Sequence, residues 1–227
     1  MSILIVVAHP DDEVLGCGGT AAAFAAQGQT VQSCILSGDA DARQNRPEVD
    51  ELRSHIGRAQ NILGIQQPIM GGFPNIQFNS VPHLQLVQFI EAAIEQTNAQ
   101  IVFTHHPGDV NDDHKQTSAA CQAAVRLFQR RVGVQPLNGL YYMEILSATD
   151  WTFPSGNGFR ADTFYEIGTD LLEKKLEALR QYQGVMRDFP HPRSEEILRG
   201  LAAYRGGQAG MRYAEAFQTA FHALGRK

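Results

Sequence analysis

Short hydrophobic runs alternate with amphipathic stretches over roughly the first 150 residues of the chain. The runs at 3–9, 30–37 and 99–105 are rich in β-branched residues, and shorter runs begin at Pro68 and at 140. Runs of this kind are typical of strands that are buried on both faces of a parallel sheet. We therefore predict an α/β fold with a Rossmann-like, mostly parallel sheet.

The stretches between these runs carry apolar residues at helical spacing, which predicts helices on both faces of the sheet. The tail from about residue 150 has a different pattern, with a loop, a clear helix in DLLEKKLEALRQYQ and a final mixed segment. We predict a single domain over 1–227. In it, a Rossmann-like core at 1–150 is followed by a C-terminal helix and loop extension at 151–227 that covers the site.

Two dense clusters of polar residues directly follow predicted strands. The first is HPDDE at 9–13, and the second is HHPGDVNDDH at 105–114. Ligands of open α/β sheets bind beyond the carboxyl ends of the strands, near the point where the strand order reverses. Although the clusters are nearly 100 residues apart in the chain, we expect them to meet at one edge of the sheet.

The residue types in these clusters favour a metal site. Two histidines and a carboxylate are a common ligand set for catalytic zinc, which leaves one position open for water and lowers its pKa to about 7. Adjacent acids in an extended turn point in different directions, so one of Asp11 and Asp12 could bind metal while the other faces the water. The alternative for Asp12 or Glu13 is capping of the following helix.

A second motif overlaps the first cluster. The segment GCGGTA at 16–21 matches the dinucleotide fingerprint GxGxxA, and Asp39 follows where a ribose-binding acid belongs. The fingerprint glycines normally follow the strand immediately, whereas HPDDEVL intervenes here. The alternative function is therefore a nucleotide-binding Rossmann protein, which the spacing disfavours.

Composition narrows the remaining function classes. The net charge of -5 argues against a nucleic-acid-binding protein. Three widely spaced cysteines suit buried thiols in a reducing compartment better than disulfides. The apolar run ILIVV is too short for a signal peptide or a membrane span. We expect a cytoplasmic protein that neither enters membranes nor binds nucleic acid.

The two polar clusters together resemble the signatures of the PIG-L/LmbE-like zinc-dependent N-deacetylases. AHPDDE at 8–13 matches the first signature, and NDDH at 111–114 matches the second, which ends in Asp-His. The order of strands and helices is similar over roughly the first 150 residues. The resemblance implies Zn²⁺ held by His9, Asp12 and His114, with Asp11 as general base. It implies that Asp113 does not bind the metal itself but supports the ligands or orients a neighbouring imidazole. Glu13 is expected to support a ligand or the turn.

One position departs from the family pattern. Many members have His-x-Asp-His in the second block, where this chain has Asn111. An Asn amide can donate a hydrogen bond to an oxyanion but cannot give up a proton. The acid role therefore falls on other candidates, His105, His106 and His191. Substrate contacts are expected from Arg53, Arg43 and His105, with Arg46 and Arg193 as further candidates.

The resemblance implies hydrolysis of an N-acetyl or similar small acyl group on a GlcNAc-type amino sugar, glycoside or sugar conjugate. The expected partner is thus a small N-acetyl amino sugar, and homo-oligomers are possible. A metal-binding module without catalysis is a third hypothesis, which predicts that Asp11 is dispensable.

Overall fold

The computed structural model describes residues 1–38, 47–153 and 157–225. Within them, seven strands form one sheet in the order β3-β2-β1-β4-β5-β7-β6. The first five strands are parallel, and β7 pairs antiparallel with both β5 and β6. The strands are β1 (Ser2–Val7), β2 (Thr30–Ile35), β3 (Gln66–Met70), β4 (Ile101–His105), β5 (Gly139–Met143), β6 (Thr163–Glu166) and β7 (Ala214–His222).

In the described part of the chain, six α-helices cover the two faces of this sheet, as the amphipathic stretches predict. Alternate residues of β1 enter opposite cores: Ile3, Ile5 and Val7 pack in one, and Leu4 and Val6 in the other. The predicted fold class is confirmed. The helices are α1 (Asp12–Ala26), α2 (Val49–Leu63), α3 (His83–Thr97), α4 (Asp112–Ala124), α5 (Gly168–Arg180) and α6 (Glu195–Ala209).

The tail contains more regular structure than the sequence indicates. The prediction of a helix and loop extension missed β6 and β7, which add two antiparallel strands to the sheet edge. The segment AEAFQTAFH of β7 is rich in alanine, which has low strand propensity, so its pattern does not indicate a strand. Pairing with β5 supplies the stability that local propensity lacks.

Helix α1 carries the GCGG segment and is broken within it. Cys17 has φ -149° and ψ 26°, which interrupts the helical backbone. The glycines allow close packing, since a Cβ at Gly16 would lie 2.8 Å from the sulfur of Met143 and one at Gly19 would lie 2.9 Å from Ile167. The glycines of the apparent nucleotide fingerprint thus serve helix packing.

A buried ion pair satisfies the backbone groups that this break exposes. Lys175 on α5 donates to the carbonyl oxygen of Leu15 at 2.8 Å. Glu215 on β7 accepts from the amides of Gly19 and Thr20 at 3.0 and 2.7 Å. The two side chains bond each other at 2.6 Å. A carboxylate of the chain itself therefore occupies the helix amides that a nucleotide phosphate would need, which argues against nucleotide binding there.

Candidate metal centre and active site

The two polar clusters meet where the strand order reverses, between β1 and β4. Single ligand atoms of His9, Asp12 and His114 all lie within 4.8 Å of one another. Asp12 Oδ2 is 3.4 Å from His9 Nδ1 and 3.2 Å from His114 Nε2. The expected convergence of the clusters is confirmed, because parallel neighbouring strands deliver their carboxyl ends to the same edge.

Each of these imidazoles is held from behind by a buried carboxylate. His9 Nε2 lies 2.9 Å from Asp113 Oδ2, and His114 Nδ1 lies 3.0 Å from Asp109 Oδ2. A carboxylate on the remote nitrogen orients a metal-binding histidine and fixes its tautomer. Here it leaves His9 Nδ1 and His114 Nε2 directed at Asp12, so the residues present fit a zinc ion held by two imidazoles and one carboxylate.

The electrostatics of the group also favour a cation. Burial lowers the pKa of His114, but the charges of Asp12 and Asp109 outweigh it and raise that pKa to about 10. Burial raises the pKa of Asp12, yet His114 brings it well below its usual value. Asp12 and Asp109 are thus carboxylates, and in the absence of metal a protonated imidazole compensates them. A divalent cation can take over that compensation.

Sequence reasoning missed Asp109. Its Oδ2 holds His114 and accepts from Thr149 Oγ1 at 2.9 Å, while its Oδ1 accepts from the amide of Asn111 at 2.8 Å. The available signal was an acid within the second cluster, five residues before His114. Nothing in the spacing distinguishes it from a loop acid, because its partner Thr149 lies 40 residues away.

Asp113 bonds two further groups in addition to the His9 imidazole. Besides His9, it accepts from the amides of Ile76 and Phe78 at 2.6 and 2.9 Å. It therefore ties the loop before the short helix Phe78–Ser80 to the site. Asn111 caps α4, because its side-chain oxygen accepts from the amide of Asp113 at 2.9 Å. Its amide nitrogen remains the group that could donate to an oxyanion.

Asp11 adopts an uncommon backbone conformation at the start of α1, with φ 103°. Its amide donates to Glu13 Oε2 at 3.0 Å. The other oxygen of Glu13 accepts from Tyr182 Oη at 2.5 Å and from Gln60 Nε2 at 3.1 Å. Burial and the charges of Asp11 and Asp12 raise the pKa of Glu13 to about 7, against the Tyr182 hydrogen bond, which lowers it. Glu13 thus lies behind the turn and fixes Asp11.

His105 and His106, both candidates for acid or substrate contacts, are buried. His105 Nε2 accepts from the amide of Ala8 at 2.8 Å, and its ring stacks on His114 with centroids 3.9 Å apart. Burial lowers the pKa of His105 to about 3. The ring of His106 packs edge-on against Tyr142 and Phe159. Because neither ring is exposed, the geometry suits both to supporting the loop rather than to contacting substrate.

His191 and Arg193 lie on one turn of the tail, which reaches the first cluster. Arg193 Nη1 is 3.7 Å from Asp11 Oδ2. The amide of Arg193 donates to His191 Nδ1 at 3.0 Å, so Nε2 carries the ring hydrogen of the neutral form. Partial burial, Arg187 and Arg193 lower the pKa of His191. This turn therefore brings the Arg193 cation to the site, and His191 lies two residues before it in the chain.

Arg53, a further substrate candidate, is not brought into the site. The side chain of Arg53 is 70% exposed on α2 and lies 3.6 Å from Asp50, which is a surface position. Arg43 and Arg46 lie outside the described residues, as does Asp39.

The family model PIG-L, described as GlcNAc-PI de-N-acetylase, matches residues 4–125. Two curated relatives are similar in sequence. The uncharacterized deacetylase YaiS of Escherichia coli is 30% identical over 189 residues, which is 80% of this chain and 90% of the relative. The 1D-myo-inositol 2-acetamido-2-deoxy-alpha-D-glucopyranoside deacetylase of Rhodococcus erythropolis is 31% identical over 54% of this chain and 52% of its own length. The chain belongs to the PIG-L family.

Solved structures of other proteins have the same fold as this chain. The N,N'-diacetylchitobiose deacetylase of Pyrococcus horikoshii superposes with a TM-score of 0.77 at 20% identity, covering 96% of this chain and 83% of that one. GalB, the 4-carboxy-2-hydroxymuconate hydratase of Pseudomonas putida KT2440, reaches 0.78 at 23% identity, covering 100% and 98%. Since both a deacetylase and a hydratase have this fold, the reaction has to be argued from the site.

None of the helices within 1–38, 47–153 and 157–225 has the length and apolar character needed to span a bilayer.

Proposed function

We propose that the protein is a zinc-dependent hydrolase that removes the N-acetyl group of a GlcNAc-type amino sugar or its glycoside. The observation that carries the proposal is the group of His9, Asp12 and His114, in which both imidazoles have a buried carboxylate behind them. The family and the substrates named for the Rhodococcus and Pyrococcus deacetylases support an acetamido sugar as substrate.

His9 Nδ1, an oxygen of Asp12 and His114 Nε2 would hold the metal. When bound there, zinc would polarise the amide carbonyl and acidify the attacking water. Asp109 and Asp113 keep the two imidazoles in place and make them better ligands. A set of two histidines and one carboxylate leaves open positions, as a catalytic site needs.

Asp11 is the proposed general base. It lies beside the ligand Asp12 in the turn, and its backbone is fixed by Glu13 at 3.0 Å. Asp11 accepts a proton from the water that attacks the amide carbon, and the protonated carboxyl then returns a proton to the leaving nitrogen. The carbon–nitrogen bond breaks as acetate and the free amine form, so one carboxylate can serve both proton transfers.

The negative charge on the former carbonyl oxygen needs hydrogen-bond donors. Asn111 offers its amide nitrogen, since its oxygen is used in capping α4. His191 offers Nε2–H in the neutral form, as its Nδ1 accepts from Arg193. These two groups replace the histidine that many family members have at the position of Asn111, and neither has to give up a proton.

The substitution Asp11→Asn tests this assignment. We expect it to lower kcat for acetate release by about a thousandfold or more, because the base is lost, while the zinc content remains that of the wild type. The assay should cover N-acetylated monosaccharides, glycosides and nucleotide sugars. Exposed Asp50→Asn is the matched control with the same change in charge.

Three outcomes would contradict the proposal. Wild-type activity in Asp11→Asn would show that Asp11 is not the base. Zinc binding without acetate release from any substrate would favour a metal-binding module or another reaction of this fold. Tight NAD binding without zinc would favour the nucleotide-binding alternative, although Glu215 occupies the amides at GCGG.

The wider predictions belong to the same proposal. We propose that residues 1–227 act as one catalytic domain, which is supported by the tail strands that extend the sheet of the core. The expected cytoplasmic location, the lack of nucleic-acid binding and the possible homo-oligomer stay predictions.

A further inference from the structure

The connection between α5 and α6, residues 181–194, reaches the proposed base from two directions. Tyr182 lies near its start, and Arg193 lies at its end, two residues before α6 begins. Tyr182 Oη donates to Glu13 Oε1 at 2.5 Å, and Arg193 Nη1 lies 3.7 Å from Asp11 Oδ2. One segment of the tail therefore contacts both Asp11 and the side chain that bonds its backbone.

The first of these contacts acts on the backbone of Asp11. Tyr182 is buried, and its amide donates to the carbonyl oxygen of Leu179 at 3.1 Å, which fixes it to the last turn of α5. Its hydroxyl bonds one oxygen of Glu13, while the other oxygen accepts from the amide of Asp11 at 3.0 Å. Because φ 103° is uncommon for a residue other than glycine, neighbouring groups have to hold Asp11 there. Tyr182 keeps the Glu13 carboxylate in the place that this requires.

The second contact acts on the side chain of Asp11. The Arg193 side chain is 22% exposed and that of Asp11 only 3%, so the pair is screened less by water than a surface pair. Arg193 Nε donates to the carbonyl oxygen of Leu146 at 3.4 Å. The next residue, Ser194, is buried and caps α6 by accepting from the amide of Ile197 at 3.3 Å. The guanidinium group is therefore attached both to the end of β5 and to the start of α6.

A general base needs such support more than a metal ligand does. It acts only when its oxygen lies within hydrogen-bond reach of the attacking water, and a misplacement of about 1 Å can lower the rate about a hundredfold. The metal itself would hold Asp12, whereas Asp11 is not part of the proposed ligand set. A backbone contact determines where the Asp11 side chain begins, and a side-chain contact determines where it points.

We propose that Tyr182 and Arg193 are positioning residues for the proton transfers of Asp11. Tyr182 acts through Glu13 on the Asp11 backbone, and Arg193 acts directly on the Asp11 carboxylate. The inference rests on the proposed deacetylase function and extends it to the tail, because the connection between α5 and α6 then contributes to kcat without supplying a ligand. A substrate contact by Arg193 predicts a change in KM instead.

The variant Tyr182→Phe removes only the hydroxyl group and keeps the ring that packs in the core. We expect kcat for acetate release to fall about fivefold, with the zinc content and KM of the wild type. Because Tyr182 acts through Glu13, its substitution should cause no further loss of kcat when Glu13→Gln is already present. The control is Tyr141→Phe, which removes a hydroxyl group that bonds His222 on β7 at 3.3 Å.

The variant Arg193→Ala should lower kcat about tenfold at unchanged zinc content and KM. Arg193→Lys should recover part of kcat, since it restores a cation. Millimolar guanidinium chloride should also restore part of kcat in Arg193→Ala, because the ion can enter the space left at this partly exposed position, and it should not activate the wild type. A general loss of structure would not be rescued in this way. Arg180→Ala is the matched control, because Arg180 pairs with Glu195 and joins the same two helices at the surface.

The inference and the proposed function fail in different ways. A higher KM with unchanged kcat in Arg193→Ala would make Arg193 a substrate contact and overturn its positioning role. Loss of zinc, wild-type kcat in both variants, or a further loss from Tyr182→Phe in the presence of Glu13→Gln would overturn the inference while the wild type still releases acetate. No acetate release from any N-acetyl sugar by the wild type would overturn the function and, with it, the inference.

Discussion

The strand ends that form the site are built in different ways. The turn after β1 is short and is supported by side chains that are distant in sequence. Glu13 bonds the amide of Asp11 and is itself bonded by Gln60 and Tyr182. The loop after β4 is longer and combines local bonds with support from the tail. Asp109 bonds Asn111 and His114, and Asn111 caps α4, while Thr149 donates to Asp109 and Thr152 donates to Gly108.

This difference follows from what each end provides. The first turn places the proposed base and two proposed ligands on five consecutive residues, 9–13. Such density requires a backbone that deviates from the common conformations, and φ 103° at Asp11 is the result. The second loop provides one ligand and two orienting carboxylates. The position of Asp11 in the first turn should therefore depend on Glu13 and its distant partners, and the orientation of the two imidazoles should depend on Asp109 and Asp113.

Among the residues that support the site, the largest effect is expected from the carboxylates behind the imidazoles. Asp109→Asn and Asp113→Asn should each weaken zinc binding by about 10–100-fold, because each imidazole loses the partner that orients it. Competition with a chromophoric chelator measures the affinity. Asp112→Asn, an exposed neighbour on the same helix with the same charge change, is the control. Unchanged affinity in both variants would show that the loop orients its ligand without these acids.

A smaller effect is expected from Glu13→Gln. The amide cannot accept from Asp11, Tyr182 and Gln60 at the same time, so Asp11 loses the bond that fixes its backbone. Backbone strain of this kind is on the order of 1–3 kcal/mol, and we expect kcat to fall about tenfold. Zinc content and KM should remain near the wild-type values, since the ligand atoms are untouched.

Steady-state kinetics together with metal analysis separate this positioning role from general damage. Ser33→Ala removes a hydroxyl group that donates to Gln60 at 3.3 Å, one bond further from Asp11, and should change kcat much less. Loss of zinc from Glu13→Gln would mean that the two sides of the site are not independent.

Substitutions at the break of α1 should have the smallest effect on activity. They should nevertheless lower the stability of the protein clearly. Glu215→Gln leaves the buried Lys175 without its charge partner, and loss of one partner of a buried pair costs about 3–5 kcal/mol. The free energy of unfolding from urea titration should fall by about that amount, while kcat of the folded protein changes little. Combination with Lys175→Met should recover part of the loss.

The exposed pair of Glu173 and Arg199 provides the comparison for this variant. Glu173→Gln should change stability little, because surface ion pairs contribute little. An equally small loss in Glu215→Gln would show that the buried pair is dispensable for the break in α1.

Much of the fold follows from local patterns, and some of it does not. The β-branched runs predict β1 to β5 because parallel strands buried on both faces are continuously hydrophobic. β6 and β7 escape prediction, since they are short or alanine-rich and depend on pairing, β7 with β5 and β6 with β7. The GCGG segment is misleading for a related reason, because glycines occur both in phosphate-binding loops and where elements pack closely. Only the tertiary contacts distinguish the two cases: Met143 and Ile167 pack on the glycines, and Glu215 binds the Gly19 amide.

By itself, the sequence determined the fold class and the convergence of HPDDE with NDDH, because strand periodicity and the rules of parallel sheets are local or topological. Only the tertiary structure decided which side chains hold the residues of these two motifs in place. Asp109 behind His114, Tyr182 behind Glu13 and Arg193 beside Asp11 are contacts between residues whose types are common and whose spacing carries no signal. Such contacts depend on the packing of distant segments, and no short stretch of sequence encodes that packing.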